Sequence, residues 1–151
     1  MAVERRLGGI LRRHRRIALD ASVFIYQLEA SPKYLPLTKI VFSWLELPGS
    51  MAVTSTITMT ELLVVPYRER DAQLVDDFNG LLSTFPNLDW IAPNLEIADL
   101  AARIRADYGL KTPDALQAAT AIEAQATAFV TNDRIFERVD SFETVILDRL
   151  L

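Results

Sequence analysis

Four acidic residues occupy positions in this sequence where a carboxylate could take part in chemistry. Asp20 and Asp133 come at the ends of short apolar runs, Glu61 stands alone in an apolar stretch, and Asp114 follows a proline directly. Successive gaps of 41, 53 and 19 residues separate them, so any site that they share must be assembled by the fold. Clustered carboxylates can bind a hard cation or transfer protons.

The composition limits which other chemistry is open to the chain. Its 151 residues include no cysteine and one histidine, His14, which lies among arginines. The lack of cysteine excludes disulfide scaffolds, thiol catalysis and cysteine-bound metals. A single histidine leaves little room for Ser-His-Asp triads or HExxH zinc sites. Catalysis by this chain would therefore depend on carboxylates, hydroxyls, amines or a metal held by oxygen ligands.

Each of the four acids also has an ordinary structural interpretation. Asp20 could cap its own helix, and Asp114 would suit the positive end of a helix without any function. Asp133 follows an asparagine and suits a tight turn. Glu61 could simply face solvent.

The elements that must position these residues alternate along the chain. Apolar runs predict short strands at 16–20, 51–54, 88–91, 128–131 and 144–147. Helices are predicted at 23–29, 36–45, 57–65, 70–85 and 95–108, with a further one beginning at Thr112. This alternation predicts an α/β fold, a three-layer α/β/α sandwich around a parallel, Rossmann-like sheet. Because ligands bind at the carboxyl ends of parallel strands, the four acids are expected to meet at one edge.

Turn and capping residues predict where several helices begin and end. We expect Ser22 to cap the first of these helices and Thr112 to cap the last, with proline in its first turn. Pro66 should end the helix that carries Glu61, and Gly109 should end the helix over 95–108.

Four segments of the sequence read LDASVFI at 19–25, MTELL at 59–63, TPDALQAATA at 112–121 and VTND at 130–133. Together they resemble the signature blocks of PIN domains, and the resemblance is greatest to VapC-type toxin ribonucleases. The resemblance spans nearly the whole chain and implies a metal-dependent endoribonuclease of PIN-like fold. It implies catalytic roles for four acids, Asp20, Glu61, Asp114 and Asp133. It also implies that three small polar residues position the substrate, namely Ser22, Thr131 and Asn132.

The implied cofactor is Mg²⁺ or Mn²⁺. Both ions prefer oxygen ligands and need neither histidine nor cysteine. Packed acids repel one another and hold their protons more tightly, and a divalent ion removes that repulsion. We expect Asp20 and Asp114 to bind the ion directly, and Glu61 and Asp133 to bind it directly or through water. Either one or two ions would fit this set.

The resemblance also implies partners: an RNA substrate, a cognate antitoxin protein and a second copy of the chain in a homodimer. Tyr26, Tyr34 and Trp44 could form the dimer interface, or they could be core residues. Two alternatives stay open, a non-catalytic PIN-like module that binds RNA or protein, and a solitary RNA-processing nuclease. Response-regulator receivers and haloacid-dehalogenase-like phosphatases are disfavoured, because Ala21 and Ser22 stand where those families need a second acid.

Charge divides the chain into a basic N-terminal arm, residues 1–16, and a nuclease domain, residues 17–151. The arm holds six arginines and one glutamate, whereas the whole chain has a net charge of −4. The arm could contact RNA or a partner, or it could be a disordered, solvated extension. It lacks the apolar core of a secretory signal, and no stretch is long enough to span a membrane. We therefore expect a cytoplasmic protein that does not bind a membrane.

Overall fold

A computed structural model of the protein describes residues 2–151, so Met1 of the predicted arm lies outside the described residues. Five parallel strands form one sheet in the order β3-β2-β1-β4-β5. The strands are β1 (Arg16–Leu19), β2 (Met51–Ser55), β3 (Leu88–Ile91), β4 (Ala128–Thr131) and β5 (Glu143–Ile146). The helices are α1 (Ala2–Leu11), α2 (Ala21–Leu28), α3 (Leu35–Leu45), α4 (Ile57–Arg68), α5 (Ala72–Thr84), α6 (Leu95–Tyr108) and α7 (Thr112–Glu123). Two 3-10 helices, Arg134–Arg138 and Leu147–Leu150, complete the fold.

Each face of the sheet is covered by its own apolar core. Alternate side chains of a strand point to opposite faces, and in β1 Ile17 and Leu19 join one core while Ala18 joins the other. The first core is shared with α1 to α5, and the second with α6 and α7. Because both faces are buried, the central strands are mainly apolar, with buried Thr54, Ser55 and Thr131 at the carboxyl ends of β2 and β4. The predicted three-layer α/β/α architecture with a parallel sheet is confirmed.

The first helix, α1, belongs to the packed structure. Leu7 and Leu11 are fully buried in the first core. The six arginines of residues 2–16 all stay exposed, Arg5, Arg6, Arg12, Arg13, Arg15 and Arg16. Of the alternatives for this segment, a disordered extension is therefore wrong for residues 2–11, because two leucines four residues apart give the helix an apolar stripe that the core covers.

Three predicted helix ends differ from the structure. Asp20, and not Ser22, caps α2, and its carboxylate accepts a hydrogen bond from the Ser22 backbone N–H. Lys111, and not Thr112, precedes α7, because the Thr112 hydroxyl accepts a hydrogen bond from Arg105 instead of capping the helix. Pro66 lies inside α4, which continues to Arg68. Since Pro66 is in the last turn, it removes only one backbone hydrogen bond and the helix can extend past it.

Gly109 ends α6 as predicted, with a left-handed φ of 74° that suits glycine. None of the helices within residues 2–151 is long and apolar enough to cross a lipid bilayer.

Candidate active site

The four acids come from four different βα units. Asp20 lies between β1 and α2, and Asp133 follows β4, which is the strand beside β1. Glu61 lies one turn into α4, the helix that follows β2. Asp114 lies in the first turn of α7, a helix that packs against β2. Parallel neighbouring strands thus bring residues far apart in sequence to one edge of the sheet.

A threonine connects the first and last of these acids. The Thr131 hydroxyl donates a hydrogen bond to the Asp20 carboxylate. The same oxygen accepts a hydrogen bond of 3.0 Å from the backbone N–H of Asp133. The Asp20 backbone N–H in turn donates to the Val130 carbonyl at 3.2 Å. Asp20 is therefore held by β4 as well as by its own helix.

The electrostatic interactions among the acids show that they share one neighbourhood. Burial raises the pKa of Asp20 above its ordinary value, more than the hydrogen bonds from Thr131 and Ser22 lower it, and the Asp133 charge adds to the rise. Burial also raises the pKa of Glu61, helped by the charges of Asp20 and Asp114.

Asp114 shows the same pattern. Partial burial is the largest cause that raises the pKa of Asp114, and the charges of Asp133 and Asp20 raise it further. The charge of Lys111 lowers it. Within residues 2–151, none of the four carboxylates forms an ion pair with a lysine, arginine or histidine. Negative charge therefore accumulates at this edge, which attracts a cation.

The donor chemistry of the site fits a hard divalent ion. Its carboxylates form no ion pairs within residues 2–151. The nearby Ser22 hydroxyl is buried without a well-formed hydrogen bond, although it lies close enough to lower the pKa of Asp20. Within the part of the chain that the structure describes, however, no three Asp, Glu or His side chains lie close enough to hold an ion between them. Binding without side-chain movement would thus use one or two carboxylates, with water or substrate completing the shell, as Mg²⁺ commonly does.

Both the nitrogen and the oxygen of the Asn132 side-chain amide form hydrogen bonds. Its Nδ2 donates to the Tyr26 hydroxyl at 3.1 Å, and its Oδ1 accepts from the Asp148 backbone N–H at 2.9 Å. Tyr26 stacks on Tyr34 with ring centroids 4.1 Å apart. Asn132 thus links the strand end to α2 and to the second 3-10 helix. Of the three predicted interface aromatics, Trp44 is buried in the core, at 6% exposure.

Sequence reasoning missed a buried polar chain beside the acids. The Gln117 amide donates to the Thr58 hydroxyl at 2.7 Å, and Thr58 is 2.7 Å from the hydroxyl of Thr54. The Thr54 hydroxyl donates to the Leu19 carbonyl at 2.8 Å. All three side chains are 5% exposed or less. The sequence carried one signal for this chain: Thr54, Thr58 and Gln117 stand in segments predicted to be buried. Buried polar groups require hydrogen-bond partners, so these residues could have been expected to bond to one another.

Comparison with known proteins identifies what the chain is similar to. A family model described as PIN domain matches residues 17–141. No curated protein sequence matches the chain. Among solved structures, a toxin-antitoxin complex from Klebsiella pneumoniae is similar at a TM-score of 0.66 and 20% identity, over 87% of this chain and 97% of that chain. VapBC-1 from nontypeable Haemophilus influenzae aligns at a TM-score of 0.67 and 22% identity, over 88% of this chain and 98% of that chain. At these identities, the structural likeness establishes the fold.

Proposed function

Because the chain belongs to the PIN domain family, we propose that it is a Mg²⁺- or Mn²⁺-dependent endoribonuclease that hydrolyses RNA phosphodiester bonds. The observation that carries the proposal is the placement of four acids at one edge of the sheet, where none of them forms an ion pair within residues 2–151, namely Asp20, Glu61, Asp114 and Asp133. Repulsion within such a cluster destabilises the fold, so the presence of the cluster favours a functional role for the acids.

In this proposal, Asp20 and Asp114 bind the ion directly. Glu61 and Asp133 bind it directly or through water. The ion would neutralise the carboxylates, make a water more acidic and offset charge on the phosphate. Thr131 would hold the Asp20 carboxylate through its hydrogen bond.

Two further polar residues complete the proposed site. The Ser22 hydroxyl, which lacks a well-formed hydrogen bond, is available to the group that Asp20 binds. Asn132 would fix the loop that carries Asp133, since its amide bonds to Tyr26 and Asp148.

The proposed reaction consumes one water for each bond cut. The water oxygen forms a bond to phosphorus as the phosphorus–oxygen bond to the leaving ribose breaks. One proton leaves the attacking water and one reaches the departing oxygen, so charge and atoms balance. Glu61 is suited to accept the proton where it binds the ion through water, since burial raises its pKa above the ordinary value.

An RNA cleavage assay tests this function. Purified full-length protein should cut RNA when Mg²⁺ or Mn²⁺ is added, and EDTA should stop the reaction. Cleavage that persists in EDTA would contradict the metal dependence. RNA binding without cleavage under all metal conditions would favour a non-catalytic PIN-like module instead.

We also propose that the protein is the toxin of a toxin-antitoxin pair and acts on RNA in the cytoplasm. The similar chain from Klebsiella pneumoniae belongs to a toxin-antitoxin complex, which supports a protein partner here. Expression of the chain alone should arrest bacterial growth, and co-expression of a small antitoxin from the neighbouring reading frame should restore it. Unimpaired growth with active, soluble protein would favour a solitary RNA-processing nuclease.

A homodimer forms the last part of the proposal. Tyr26 and Tyr34 are only partly buried and are available to a second copy, whereas Trp44 is not. Light scattering during gel filtration should give twice the chain mass of 17.0 kDa. A monomer at the concentrations used for cleavage would contradict this part alone.

A further inference from the structure

The buried polar chain connects three elements that carry acids. The Thr54 hydroxyl donates to the carbonyl of Leu19, the residue directly before Asp20. Thr58 lies three residues before Glu61 on α4, and Gln117 lies three residues after Asp114 on α7. Residues three apart lie on neighbouring parts of one helix face. The polar chain therefore ends one residue before Asp20, and it passes about one helical turn from Glu61 and from Asp114.

Donor and acceptor can be assigned for each hydrogen bond of the buried polar chain. A threonine hydroxyl has a single hydrogen, and Thr54 uses its own on the Leu19 carbonyl. In the 2.7 Å contact between the two threonines, Thr58 must therefore be the donor and Thr54 the acceptor. Gln117 supplies the hydrogen that Thr58 accepts, at 2.7 Å. The Gln117 carbonyl oxygen accepts from the Ser55 backbone N–H at 3.4 Å, which satisfies the other end.

This arrangement leaves little freedom to the backbone of the three elements. Thr54, Thr58 and Gln117 are 1%, 0% and 5% exposed, so water cannot replace a lost bond. Hydrogen bonds in a buried chain also polarise and strengthen one another. A change in the separation of β1, α4 and α7 would break at least one of them and leave a buried polar group unpaired.

We propose that Gln117, Thr58 and Thr54 are positioning residues that set the separation of Asp20, Glu61 and Asp114, and so determine the affinity for the divalent ion. This inference rests on the proposed function of the four acids. The three residues touch neither ion nor substrate and act through the backbone that carries the carboxylates. Groups that orient metal ligands commonly contribute 10- to 100-fold to affinity.

The test measures Mn²⁺ affinity by calorimetry on the full-length, metal-free protein, together with its thermal unfolding. Thr58→Val keeps the shape but removes the hydroxyl, and should weaken Mn²⁺ binding by about tenfold. Thr58→Ser keeps the hydroxyl but loses a buried methyl, so it should lower thermal stability and retain the wild-type affinity. Gln117→Met removes the amide that donates to Thr58 and should weaken Mn²⁺ binding by a similar factor. This variant tests the inference if Thr58→Val does not fold.

Thr38 supplies a matched control. Its hydroxyl is also fully buried and donates to a glutamine, Gln27, at 2.8 Å, but this bond joins α3 to α2. Thr38→Val should therefore lose stability without loss of Mn²⁺ affinity.

Three results would overturn the inference. If wild type binds Mn²⁺ and Thr58→Val binds it equally well, the positioning role fails while the nuclease proposal stands. If Thr58→Ser loses as much affinity as Thr58→Val although it keeps the hydroxyl, the loss does not depend on the hydrogen bond and the positioning role fails. If the wild-type protein binds no Mn²⁺, the metal-dependent function fails and this inference with it.

Discussion

Thr131 donates a hydrogen bond to the carboxylate of Asp20, a residue 111 positions earlier in the chain. The bond crosses from β4 to the end of β1 and is possible because these strands are adjacent and parallel. The same hydroxyl accepts from the Asp133 backbone N–H. One buried side chain thus fixes Asp20 relative to the loop that carries Asp133.

Thr131→Val should destabilise the protein by about 1–3 kcal/mol, because it leaves the Asp20 carboxylate and the Asp133 N–H each short of a partner. It should also raise the pKa of Asp20 further, since the hydroxyl lowers that pKa in the native protein. Urea unfolding at neutral pH measures the stability. Thr131→Ser keeps the hydroxyl and serves as the control; equal stability of Thr131→Val and wild type would contradict the role of the bond.

Asp20→Asn and Asp114→Asn should each abolish Mg²⁺- or Mn²⁺-dependent RNA cleavage while the fold is retained. Each substitution removes a charge that the ion would bind but keeps the size of the side chain. Cleavage rates and circular dichroism spectra of the purified variants check both parts. Asp99→Asn is the matched control, because Asp99 is exposed on α6, away from the four acids in sequence, and pairs with Arg103 at 3.2 Å. Unchanged cleavage by both active-site variants would refute the assignment.

The metal-free protein should unfold at a higher temperature at pH 5.5 than at pH 7.5. The raised pKa values of Asp20, Glu61 and Asp114 mean that the folded chain binds protons more tightly than the unfolded chain. Stability therefore rises as pH falls through the raised values toward the ordinary values of 3.8 and 4.5. Solvent screening weakens the contribution of the partly exposed Glu61 and Asp114, so we expect Asp20 to contribute most of the rise.

Two other carboxylates act in the opposite sense but at lower pH. The Tyr34 hydroxyl lowers the pKa of Asp148, and hydrogen bonds from His14 and Arg13 outweigh partial burial to lower that of Glu143. Their contribution is lost only as pH falls below their ordinary values of 3.8 and 4.5. Calorimetric scans at several pH values separate the two effects. Mg²⁺ should remove the difference between pH 5.5 and 7.5, and a difference unaffected by Mg²⁺ would argue against a site at these acids.

Deletion of residues 1–9 should leave metal binding unaltered but lower the stability. The deletion removes Leu7, which is fully buried in the core, and loss of a buried leucine side chain costs about 2–5 kcal/mol. Calorimetry gives the affinity and urea unfolding gives the stability of the shortened chain. Leu7→Ala in the full chain should reproduce most of the stability loss. A large loss of metal affinity would show instead that α1 belongs to the site.

The layered fold was predictable because apolar periodicity reports burial directly. The predicted strands at 88–91 and 128–131 coincide with β3 and β4. The α1 helix was not predicted, since its arginines dominate the composition while two leucines alone mark the buried stripe. The role of Ser22 as a cap was also wrong, because serine and aspartate are both good caps and only the backbone path selects between Asp20 and Ser22.

The sequence by itself determined the chemical character of this protein. Without cysteine and with one histidine, its candidate site consists of oxygen donors, and the alternation of apolar runs specifies a parallel sheet between two helical layers. The tertiary structure alone decided which side chains meet. Thr131 reaches Asp20, and Gln117 reaches Thr58, because neighbouring strands and the helices packed on them align in one register. Hydrogen bonds depend on distances of tenths of an ångström, and no pattern within a single segment specifies distances between segments.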